Sequence, residues 1–185
     1  MIHIHEDDVG MRRLYPLAAG AEVARDLDEA AGAGAADQAP DGVGWTGVHV
    51  IRAPRDDYAA AGLTVHDADV ALAAVLPRVR DFAATASGGF EGHDPYGSYE
   101  DDAYCYGGGA DLFVKVEADG AKVGSIWFQV ETQDPDRLAK LRAALVAVDR
   151  LVPSIVADYW LDRTGPVGDS AFLDDYLHEL AIVDT

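Results

Sequence analysis

Residues 112–131 read LFVKVEADGAKVGSIWFQVE. Two runs rich in branched and aromatic residues, 112–117 and 122–131, flank Ala118, Asp119, Gly120 and Ala121. Asp-Gly between two such runs signals a β-hairpin, because a type I′ turn needs two positive-φ residues and this pair supplies them at low steric cost. With Asp119-Gly120 as the loop, Glu117 faces Lys122, Val116 faces Val123, Phe113 faces Ile126 and Leu112 faces Trp127. Opposite charges and apolar partners then meet across the strands, each pair contributing about 0.2–1 kcal/mol. Large apolar side chains fall on both faces, which predicts a hairpin inside a sheet, covered on both sides near Phe113 and Phe128.

Residues 103–106, ahead of Gly107, Gly108 and Gly109, read as a third strand of the same meander, with the glycines as a turn. C-terminal to the hairpin, Asp134 is placed to cap a helix with Pro135 at its first position. Leu138, Leu141, Leu145, Val148 and Val152 follow at steps of three and four, and Pro153 should end the helix. Asp169 or Ser170 can cap a last helix with Leu173, Tyr176, Leu177 and Leu180 inward.

On the N-terminal side, Thr64 and Asp67 have capping-box spacing, and Leu72, Val75, Leu76, Val79 and Phe82 continue as a helical stripe. Pro77 interrupts that stripe and predicts a kink, or a new helix starting near Leu76. Residues 17–31 suit a helix, residues 32–44 a flexible loop rich in Gly, Ala, Asp and Pro, and residues 45–51 a short strand. Strands clustered centrally with helices on both sides in sequence predict an α+β fold: a central antiparallel sheet, its meander around residues 103–131, with packed helices. The length of 185 residues suits a single domain spanning 1–185.

Charge is the compositional outlier. Asp plus Glu number 33 against 14 Lys plus Arg, for a formal net charge of −19. That balance argues against nucleic acid, whose phosphates need cationic neutralisation, and against anionic membrane surfaces; it favours basic partners or cations. A second reading assigns the acidity to adaptation of a whole proteome, since 25 of the acids are Asp and only three residues are Lys. Cys105 is the only cysteine, which excludes an intramolecular disulfide and a thiolate metal cage. With no long apolar run and an acidic rather than signal-like N-terminus, the expected location is the cytoplasm.

The richest candidate site lies in residues 88–106. It combines Phe90, Tyr96, Tyr99, Tyr104 and Tyr106 with Glu91, His93, Asp94, Glu100, Asp101 and Asp102. Tyrosine gives rigid amphipathic contact area, its ring face attracts cations, and neighbouring carboxylates pair with Lys or Arg. The expected binding set is Glu91, Asp94, Tyr96, Tyr99, Glu100, Asp101 and Asp102. Tyr104 and Tyr106 read equally well as strand residues packing inward. On this basis the expected function is that of an acidic binding or inhibitor-type protein that engages a basic protein, in physical character like an immunity or antitoxin protein.

The alternative is a small metal-dependent hydrolase or isomerase. His3 and His5 fall on one face of an N-terminal strand, where two imidazoles could share a divalent metal, with His49, His93 or Asp94 as third ligand and Glu6, Glu91 or Asp94 as base. No other cofactor is suggested by any motif. The remaining candidates read as structural: the glycines 107–109 as a turn, Cys105 as unreactive beside acids, and His178 as an exposed pair with Asp174.

Overall fold

The computed structural model describes residues 1–36, 49–86 and 94–182. Its centre is a seven-stranded sheet in which every pairing is antiparallel. In chain order its strands are β2 (Arg12–Pro16), β3 (Arg78–Val79), β6 (Tyr104–Gly109), β7 (Leu112–Asp119), β8 (Lys122–Val130), β9 (Ser154–Asp158) and β10 (Arg163–Pro166). Across the sheet the order is β10-β9-β2-β8-β7-β6-β3. A second sheet joins β1 (Ile2–His5), β4 (Phe82–Thr85) and β5 (Ser98–Glu100), with β1 parallel and β5 antiparallel to β4. The helices are α1 (Gly20–Ala36), α2 (Val65–Ala73), α3 (Pro135–Leu151) and α4 (Ser170–Ile182). The fold is thus the expected α+β arrangement around the meander.

The meander forms, but in a different register. Asp119 pairs with Lys122, so the loop is Gly120-Ala121. Gly120 carries φ +61° and Ala121 is not among the positive-φ residues. One left-handed residue at the first central position is the type II′ pattern, which spares Asp119 the positive φ that a type I′ loop would impose on it. Ala118 then pairs with Val123, while Glu117 pairs with Ser125. Gly124 is the extra residue of a β-bulge. Because side chains alternate, this one-residue insertion decides which face each residue takes. Val114 opposes Phe128 and Val116 opposes Ile126 on one face, while Lys115 opposes Trp127 on the other.

The first face is covered by α2, α3 and α4. Leu112, Val114, Val116, Ile126, Phe128 and Val130 are buried there with Leu141, Leu145 and Val148 of α3, Leu72 of α2 and Leu173 of α4. The opposite face is covered in two parts. Phe113, Trp127 and Cys105 meet Ile2, Ile4 and Phe82 of the smaller sheet. Tyr15, Ile155 and Ala157 meet Val23 and Leu27 of α1.

Local signals fix the helix starts. The Asp134 carboxylate accepts the Asp136 amide at 2.9 Å, Thr64 accepts the Asp67 amide at 3.1 Å, and Asp169 accepts the amides of Ala171 and Phe172. Pro77 has a larger effect than a kink: α2 stops at Ala73, and Val79 and Phe82 enter strands β3 and β4 instead of a helix. The helix expected over 17–31 begins after a 3-10 turn and runs on to Ala36, so residues 32–36 are helical; 37–44 lie outside the described residues. Of the strand expected at 45–51, residues 49–51 are irregular and the rest fall outside the described residues.

The glycines expected to form a turn instead prolong β6, with an irregular register between Gly107 and Gly109. A Cβ on Gly107 would lie 2.2 Å from the Leu112 carbonyl oxygen and 2.7 Å from Phe113 Cα. Those contacts are with backbone, so no rotamer relieves them. Gly107→Ala is expected to destabilise the fold by about 3 kcal/mol, lowering the melting temperature by about 6–12 °C in a thermal scan. An unchanged melting temperature would mean that the bulge is not the constraint described here.

Candidate functional site

Three of the sequence-selected acids, Glu100, Asp101 and Asp102, line a cleft where the edge of the smaller sheet meets β6 and β7. About 540 Å³ in volume, it is lined by Tyr99, Glu100, Asp101, Asp102, Tyr104 and Glu117, among others. Its floor is organised by Lys115, whose side chain is 0% exposed in the middle of β7. The ammonium donates to Glu100 Oε1 and to Glu117 Oε1, each at 2.8 Å, and lies 4.8 Å from the centre of the Phe82 ring. Trp127 Nε1 donates to the same Glu117 oxygen at 2.9 Å. A buried ammonium is tolerated only when paired and hydrogen-bonded, and these two carboxylates meet that demand. They are in turn held in one position at the mouth of the cleft.

The second wall is built on Asp102, which adopts φ +62°. This left-handed conformation is one that Asp tolerates better than most side chains. It turns the chain from β5 into β6 and directs the carboxylate at Arg80 and, at 3.3 Å, at Arg78. Arg78 also donates to the carbonyls of Asp102 and Ala103, stacks 4.1 Å from the centre of the Tyr104 ring, and approaches Asp69 at 3.5 Å. Around the cleft, Asp69, Glu100, Asp101, Asp102 and Glu117 stand against Arg78, Arg80 and Lys115. The balance is negative, and Asp101 makes no ion pair among the described residues. Arg78, Arg80 and Lys115 act as struts here, so Glu100, Asp102 and Glu117 are fixed in place before any partner arrives.

Ahead of β5, residues 94–97 form a turn closed by the Gly97 amide on the Asp94 carbonyl at 3.1 Å. The Asp94 carboxylate accepts the Tyr96 amide at 2.9 Å, and the Asp94 amide donates to the Tyr99 hydroxyl at 2.8 Å. Tyr96 is left 92% exposed and Tyr99 39% exposed. Gly97 belongs to the same device, because a Cβ there would lie 2.9 Å from the Tyr99 ring.

Of the expected binding residues, Tyr99, Glu100, Asp101 and Asp102 line the cleft, Asp94 and Tyr96 belong to the turn ahead of β5 and are not part of its lining, and Glu91 lies outside the described residues. The two ambiguous tyrosines separate. Tyr104 is half-buried at the cleft wall, whereas Tyr106 is fully buried and donates to Asp69 at 2.7 Å. Burial, followed by the Asp69 contact, pushes the Tyr106 phenol well above its ordinary range. Lys115, Glu117, Arg78 and Arg80 were not singled out from the sequence. A lysine flanked by valines in the Leu-Phe-Val-Lys-Val run was the available signal, because a charge at an apolar strand position must find a partner.

The other sequence candidates stand as follows. His3 and His5 do share the half-buried face of β1. His3 Nε2 is hydrogen-bonded to Thr85 Oγ1 at 2.8 Å, and His5 Nδ1 accepts the Asp7 amide at 3.2 Å. Among the described residues no group of three His, Cys, Asp or Glu side chains is arranged to hold a metal ion. Cys105 is buried, and that burial pushes its thiol up to about 12 despite the lowering effect of Lys115. The thiol is therefore protonated at neutral pH and is no nucleophile. His178 and Asp174 are not joined: Asp174 instead accepts Arg142 Nε at 2.9 Å. No helix among the described residues is long and apolar enough to cross a membrane.

A scan against models of known families finds no match, and searches of curated proteins and of solved structures return none either.

Proposed function

We propose that this chain is a binding protein that engages a basic protein surface, taking a Lys or Arg side chain into the cleft between β5 and β7. One observation carries the reading: carboxylates pre-positioned by internal cations line one cleft together with Tyr99, with Asp101 uncommitted to any cation among the described residues. An incoming cation would meet Glu100, Asp102 and Glu117 already oriented by their internal cations, which reduces the ordering cost of association. Tyr96 and Tyr99 add rigid aromatic area and cation–π attraction of about 0.5–2 kcal/mol each. The overall charge of −19 would steer a basic partner from a distance. An inhibitor-type role follows if the bound residue is one that the partner needs for its own activity.

The direct test uses an octa-arginine peptide and calorimetric or anisotropy titration. Asp101→Asn combined with Tyr96→Ala should weaken binding about tenfold, equivalent to about 1.4 kcal/mol. The same number of changes at remote exposed positions, Asp56→Asn with Asp175→Asn, should weaken it less than about twofold. Binding should also fall steeply between about 0.1 M and 1 M salt, as the Debye length shrinks from ~10 to ~3 Å. Equal losses in the two double variants would reduce the cleft to one acidic patch among many and overturn the proposal.

A further inference from the structure

We draw no further inference here: the strongest candidate, the half-open cavity between α1 and residues 49–51, adjoins residues 37–48, which lie outside the described residues, so nothing in the structure shows what covers it.

Discussion

An Asp158→Ala chain should lose about 3–5 kcal/mol of stability, the loss expected when one partner of a buried ion pair is removed. Asp158 is fully buried at the end of β9 and accepts from four donors. Arg12 Nε on the neighbouring strand donates at 3.0 Å and the Tyr176 hydroxyl of α4 at 2.8 Å. The amides of Trp160 and Leu161 donate to the second oxygen and close the turn into β10. Alanine leaves Arg12, only 5% exposed, without its carboxylate and strips the turn of its acceptor. For a chain of this size the melting temperature should fall by about 6–20 °C. Tyr176→Phe removes one of the four bonds and should cost about 1 kcal/mol. Chemical denaturation of both variants measures the series. An Asp158→Ala chain within about 1 kcal/mol of wild type would show that the pair does not hold β9, β2 and α4 together.

Alkaline solution should unfold the protein abruptly. Tyr15, Tyr58, Tyr106, Tyr159 and Tyr176 all have phenols held above the ordinary value, in each case chiefly by burial. The neutral form is the one the fold accepts. Below about pH 10 both folded and unfolded states carry neutral phenols, so the stability these residues contribute is fully present there. Above it the unfolded chain ionises while the folded chain cannot, and stability declines toward the raised folded values. Each strongly shifted phenol contributes a slope of up to about 1.4 kcal/mol per pH unit, so Tyr58, Tyr106, Tyr159 and Tyr176 together give up to about 6 kcal/mol per unit. Against a total stability of about 5–15 kcal/mol, the fold should collapse within one or two units above pH ~10. Phenolate absorbance and far-ultraviolet circular dichroism, followed together, should change in a single joint step. Phenolate appearing at full amplitude with the helical signal intact would contradict the buried placement of these rings.

The elements visible in the sequence are those whose signals are local. Thr64, Asp134 and Asp169 each announce a helix start because the capping carboxylate or hydroxyl and the amide it serves lie within three residues. The hairpin was visible for the same reason, but its register was not. The choice between Asp119-Gly120 and Gly120-Ala121 as loop, together with the Gly124 bulge, is decided by sorting apolar side chains onto two covered faces, which no short window contains. Val79 and Phe82 misled because three- and four-residue spacing persists by chance past Pro77.

At the site, the acids and tyrosines were legible as types because they crowd one stretch. Their cations were not, since Arg78 and Lys115 reach Asp102 and Glu100 from 24 and 15 residues away.

Chemical-shift mapping of isotope-labelled protein with the octa-arginine peptide addresses the cleft most directly, because it reports where a cation settles on a surface that is acidic throughout. The largest shifts should fall on the backbone of residues 96–104 and 116–118, with the Trp127 indole following through its bond to Glu117. Shifts of similar size spread over α1, α3 and α4, or centred on any of those helices, would show that the cleft between β5 and β7 holds no privileged place for a basic partner.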